Sequence, residues 1–228
     1  MKYLSCDLET VRISPKSPDG ILMASFVVED TENQLPLTEL PHLTVLVDHG
    51  DTVVGAWGRI AVAMNVWILL AIDIASKDPK YRDKDVKRLR TMVSGDSLDR
   101  AIEASNLYPV VKGAEGLTAA VLPFLDLHFG ERSRITIAGK NAASFDVPFL
   151  PELVAKRFHS RVLDPGTLFA QFDKDDALPG MDDCLARAGV DMTGMGHDAL
   201  ADARAVVSLL RTKYYLLRSS SGIKVGAQ

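Results

Sequence analysis

Five side chains carry the chemistry this sequence can do. Asp7 and Glu9 stand two positions apart near the start. Asp146 follows a loop in the middle, and His197 and Asp202 stand five positions apart near the end. Side chains of a strand alternate with period two, so Asp7 and Glu9 share one face. Carboxylates collected from separate segments repel one another and are costly to hold unless cations neutralise them. Hard oxygen ligands suit Mg²⁺ or Mn²⁺ rather than zinc. Two such ions, roughly 3.5–4 Å apart, can activate a water and stabilise the leaving oxygen of a phosphodiester. His197 fits a general base, since imidazole titrates near neutrality. A hydrogen-bonded loop histidine is the other role open to it. His42, His49, His128 and His159 have no acidic motif around them and are read as surface or structural residues.

The elements that must position these groups follow from local pattern. Asp198 is placed to cap a helix, because a short acidic side chain accepts hydrogen bonds from the first free N–H groups. That helix is expected over 198–217, with Asp202 in its first turns. Strands are expected at 2–8, 21–29 and 43–47, joined by short connections as an antiparallel meander, and further strands at 134–138 and 161–163. An apolar helix is expected over 59–75, and others at 117–129, 145–157, 167–172 and 181–188, the last ended by Gly189. This order describes a single α/β domain over 1–218, a mixed sheet with helices packed on it, with 77–116 a possible insertion and 219–228 a flexible tail.

Composition sets outer limits. The 228 residues are 47% hydrophobic and 25% charged, a globular balance, and the formal net charge of −4 gives no whole-protein basic signal. Affinity for nucleic acid must then come from a local patch or from metal ions. One basic stretch exists: residues 77–90 hold seven Lys or Arg against three Asp, a local excess of +4. A solvated helix face is one reading, and a phosphate contact through Lys84, Lys87 and Arg88 is the other. Cys6 and Cys184 have no metal-binding spacing and suit a reduced compartment; Cys6 is read as a small buried strand residue. No signal segment is expected before Asp7, since residues 1–6 hold no apolar run of the needed length. The most apolar run, 60–75, contains Asn65 and Asp73 and reads as a buried helix rather than a membrane span. The expected location is cytoplasmic.

Taken together, Asp7-x-Glu9, then Asn141-x-x-x-Phe145-Asp146, then His197-x-Ala199-x-x-Asp202 resemble the three exonuclease motifs of the DEDDh 3′–5′ exonucleases. The resemblance spans residues 2–217. It implies a ribonuclease H-like fold and removal of nucleotides from the 3′ ends of single-stranded DNA or RNA, DNA being favoured. It implies two ions, Mg²⁺ or Mn²⁺, held by Asp7, Glu9, Asp146 and Asp202, with His197 as base. Tyrosine-type relatives carry Tyr where this chain has Asp198, so the histidine type is indicated. Thr10 matches a residue that touches the terminal nucleotide, and Leu8 and Asn141 join it as candidate substrate contacts. Asp164 matches an acidic residue common after a later strand, and beside Pro165 and Gly166 a turn role is expected for it. Two departures bear on substrate choice. Residues 73–116 run longer than a compact proofreading domain needs, and the 141–146 loop is one residue longer than in many proofreading members. Parts of the chain also resemble stand-alone exonuclease-like proteins of bacterial viruses. Alternatives are an oligoribonuclease acting on short RNA and an inactive nucleic-acid-binding or polymerase-accessory module. A polymerase or a second copy of the chain is a possible partner.

Overall fold

A computed structural model describes residues 1–11, 20–50, 64–77, 84, 86–190 and 198–220, with side chains to 213. The turn at 12–19, the start of the helix expected from Arg59, His197 and the tail from 221 lie outside the described residues. Six strands form one sheet: β1 (Lys2–Thr10), β2 (Ile21–Asp30), β3 (His42–Asp48), β4 (Val110–Lys112), β5 (Ile135–Ala138) and β6 (Phe158–Leu163), in the order β4-β3-β2-β1-β5-β6. β1, β2 and β3 are the expected antiparallel meander. β4 joins β3 in parallel, and β5 and β6 extend the other side in parallel from β1. This is the expected ribonuclease H-like arrangement, a mixed sheet flanked by helices.

Helices cover both faces. α1 (Val66–Ser76) and α2 (Gly95–Leu107) precede β4, and α3 (Gly113–Phe129) follows it. After β5 come α4 (Asp146–Phe149) and α5 (Glu152–Ala155). After β6 come α6 (Pro165–Phe169), α7 (Met181–Ala188) and α8 (Ala199–Ser220). Among the described residues, no helix is long and apolar enough to cross a membrane. On one face Leu4, Cys6 and Leu8 of β1 pack against Leu117, Val121 and Leu125 of α3 and against Phe149 and Val154. On the other, Tyr3 and Val27 pack against Ala203, Val206, Val207 and Leu210 of α8. Beside α8, Leu22, Met23 and Leu46 pack against Trp67, Ile68, Leu98 and Ala101 of α1 and α2.

Two expectations are corrected. The helix foreseen over 145–157 is two short helices, α4 and α5. Leu150 precedes Pro151, whose ring disfavours helical backbone at the residue before it, and Leu150 is extended (φ −67°, ψ 148°). No element is foreseen over 91–116, yet it contains α2 and the edge strand β4. Three residues between Pro109 and Gly113 are too few to show a period. Gly189 ends α7 as expected, in the left-handed conformation (φ 66°) that glycine adopts without a Cβ penalty.

α8 is fastened to β2 by one buried ion pair. Glu29 is fully buried, and Arg211 reaches it through Nη2 (2.6 Å to Oε2) and Nε (3.3 Å to Oε1); Nη2 also donates to the Leu35 carbonyl at 2.7 Å. Burial raises the Glu29 pKa and Arg211 opposes that rise. Removing one partner of such a pair strands a buried charge. Arg211→Ala is expected to cost about 3–5 kcal/mol in a urea melt, and adding Glu29→Gln in that background should recover part of the loss.

Candidate active site

The site is built by the alternation of β1. Its even-numbered residues Leu4, Cys6 and Leu8 enter the core under α3. Tyr3, Ser5, Asp7 and Glu9 therefore face α8. Tyr3 packs with the α8 valines, and the Ser5 hydroxyl donates to the Ala203 carbonyl at 2.8 Å. One step further along, Asp7 and Glu9 meet Asp202: the three carboxylates offer oxygens that all lie within 4.8 Å of one another. Small residues make the close approach possible, since Ala199, Ala201, Ala203 and Ala205 are all buried. Asp198 starts α8 as expected, its Oδ1 accepting from the N–H groups of Leu200 (3.0 Å) and Ala201 (3.2 Å). The positive end of the helix dipole thus lies at Asp202.

Asp146 arrives from the other side. β5 runs parallel to β1, with Ala138 opposite Ser5. The next residue is Gly139, where a Cβ would fall 2.8 Å from the Cys6 carbonyl oxygen and 2.7 Å from the Ala142 methyl. Only glycine lets the chain lie that close to β1. Asn141 then takes a left-handed backbone (φ 59°) and turns the loop back. Its carbonyl accepts from Ser144 and Phe145 N–H, and its side-chain oxygen accepts from Lys140 Nζ at 2.8 Å. The loop returns Asp146 to β1, where its buried Oδ1 accepts from the Leu8 N–H at 3.2 Å. Asp164 ties this loop down: one oxygen accepts from Asn141 N–H at 2.9 Å, and the other caps α6 through Gly166 N–H at 2.7 Å. That is the turn role expected of Asp164, with a second hold on the Asn141 loop.

Burial and mutual repulsion set the electrostatics. Burial, then Asp146, Asp202, Glu9 and Asp198, drive the Asp7 pKa well above the usual carboxylate range. Burial with Asp202 and Asp198 pushes Glu9 up to about 7, against the pull of Arg100. Burial pushes Asp146 to about 7, offset by backbone hydrogen bonds from its own N–H and from Leu8. Burial and the neighbouring Asp146 and Asp7 raise the Cys6 thiol, which makes it a poor nucleophile and agrees with a packed strand residue. An oxygen-only donor set, with Glu9 buried and Asp7 and Asp202 half-buried, fits a hard divalent cation.

The remaining candidates fall as follows. Thr10 follows a register shift at the end of β1, and its carbonyl accepts from the Asn65 side chain at 3.1 Å. Leu8 gives its side chain to the core and its N–H to Asp146. Asn141 is exposed at the turn, and Lys84, Lys87 and Arg88 are exposed. His197 lies outside the described residues, one position before the capping Asp198. The structure adds a residue that motif spacing did not reveal. Arg100 of α2 lies over the Trp67 ring at 4.2 Å from its centre and acts on Glu9. Trp67 and Arg100 are brought together by packing between helices, which no local pattern announces.

Comparison with known proteins places this geometry. No protein-family model matches the sequence, and no curated protein matches it significantly. Solved structures do share the fold. E. coli Exonuclease I in complex with a dT13 oligonucleotide superposes with a TM-score of 0.54 at 14% identity, covering 96% of this chain and 42% of that one. The same enzyme with a 5cy-dT13 oligonucleotide gives 0.50 at 15% identity, covering 95% and 43%. The chain thus spans less than half the length of the protein whose fold it shares.

Raised carboxylate pKa values carry a sign for stability. The native state holds protons on Glu9 and Asp146 that the unfolded chain releases at lower pH. The favourable contribution is complete below 4.5 for Glu9 and below 3.8 for Asp146, and both contributions are lost as pH rises through about 7. The melting temperature in chelator is expected to fall between pH 5 and pH 8. Asp146→Asn, which keeps an acceptor for Leu8 N–H, should raise it at pH 8 and flatten the slope in a thermal melt.

Proposed function

We propose that this chain is a metal-dependent 3′–5′ exonuclease of the DEDDh type that hydrolyses single-stranded nucleic acid, DNA by preference, to nucleoside 5′-monophosphates. The observation that carries the reading is the convergence of Asp7, Glu9 and Asp202 within 4.8 Å, with Asp146 against the same strand, on a sheet shared with Exonuclease I. The solved Exonuclease I complexes hold single-stranded oligonucleotides, which supports a single-stranded substrate here.

Asp7, Glu9, Asp146 and Asp202 would hold two Mg²⁺ or Mn²⁺ ions. Bound there, such ions supply neutralising charge, a more acidic attacking water and stabilisation of the leaving oxygen. The protein's own groups do the rest. His197 takes the proton of the attacking water as general base. Thr10, at the end of β1, would touch the terminal nucleotide. Leu8 N–H holds Asp146 in place before substrate arrives.

Labelled single-stranded DNA and RNA of several lengths, with products resolved by size, test the reading. Mononucleotide release with Mg²⁺ or Mn²⁺, and none in chelator, is the expected result; full activity in chelator would sink it. Cleavage confined to very short RNA would identify an oligoribonuclease instead. Asp202→Ala should weaken metal binding in calorimetry as well as the rate. His197→Ala should leave metal affinity nearly intact, lower turnover about 10²–10⁴-fold and abolish the acid limb of the pH–rate profile. Replacing Lys84, Lys87 and Arg88 with Ala is expected to weaken binding of long single strands and flatten its salt dependence, because fewer counterions are released. An unchanged slope would make that stretch a solvated face.

A further inference from the structure

Next to the carboxylates, α1, α2 and the start of α8 enclose a cleft of about 100 Å³. Trp67, Arg100, Glu103, Tyr108 and Asp198 line it. Two of these residues connect it to the site. Asp198 caps the helix that carries Asp202, and both Asp198 and Arg100 act on Glu9. The Trp67 ring supports the guanidinium of Arg100, which orders a long side chain that would otherwise lose more entropy on binding. Trp67 itself is 5% exposed, and its indole N–H has no hydrogen-bond partner, a donor left unsatisfied at a cost.

The lining selects a ligand class. An inorganic anion would meet Arg100 but also the carboxylates of Glu103 and Asp198. A purely apolar ligand would bury those charges without partners. A nucleobase suits both walls: its flat face matches a guanidinium and the Tyr108 ring, and its polar edge matches the acceptors. Carboxylates accept but do not donate, so they favour a base edge that carries an amino group, as adenine, cytosine and guanine do, whereas the single imide N–H of thymine or uracil is flanked by two carbonyl oxygens that would face the carboxylates. We propose that this cleft receives the base of the 3′-terminal nucleotide and favours the amino-bearing bases over thymine and uracil. The inference rests on the exonuclease reading and names the base selectivity of that same site.

Calorimetric titration with dAMP, dCMP, dTMP and inorganic phosphate, in Mg²⁺, tests it directly. The expected result is that dAMP and dCMP bind about tenfold more tightly than dTMP, the size of one hydrogen bond to a charged acceptor, with phosphate weaker than any nucleotide. Glu103→Gln, an exposed position, should erase part of the preference, and Arg100→Gln should weaken all nucleotides; circular dichroism checks that both variants fold. Equal binding of dTMP and dAMP, or phosphate binding as tightly as dAMP, would overturn the proposal, as would variants without effect. Hydrolysis of single-stranded DNA by the same preparation separates the two claims. Hydrolysis without base preference removes the cleft's role and leaves the exonuclease reading. Base preference without hydrolysis upholds the cleft and removes the exonuclease reading.

Discussion

Everything at the candidate site depends on how closely α8 can lie on β1. The strand's alternation sends apolar side chains to α3 and Tyr3, Ser5, Asp7 and Glu9 to α8. Alanines along α8 remove the bulk that would hold the helix away, and the Ser5–Ala203 hydrogen bond fixes its height along the strand. With that height fixed, Asp202 has no choice but to face Asp7 and Glu9. A slip of one residue in β1 would put both carboxylates into the apolar layer.

That arrangement opposes stability. Four acidic groups crowd together here, and the raised pKa values of Asp7, Glu9 and Asp146 measure the conflict. The fold compensates at a distance from the site. The central strand β2 of the meander is almost wholly buried, and the Arg211–Glu29 pair fastens the middle of α8 to it. A site built this way is set in advance of its ligands, since backbone donors and a helix terminus already aim at the acidic groups.

Much of this was legible in the residues themselves. Asp-x-Glu on a strand needs only a period of two, and Asp198 before a run of alanines reads as a cap. Gly189 read as a helix end because glycine alone takes that backbone freely. What escaped reading was non-local. β4 is three residues long and owes its existence to pairing with β3. Arg100 and Trp67 meet only because α1 and α2 pack on the same strands. The break at Leu150 is local chemistry, and Pro151 announces it. Asp164's hold on Asn141 needed β6 beside β5 before it could be seen.

The edges of the sheet have a consequence of their own. β4 offers three residues of backbone, and β6 carries exposed His159, Ser160 and Arg161 along its length. A neighbouring chain that sought to continue the sheet would find one border too short and the other studded with a cation and polar groups. Flat, apolar borders invite such stacking, and these are not of that kind. Among the described residues the ladder therefore ends on two borders ill suited to edge pairing, and the long hydrophobic strands lie at its centre.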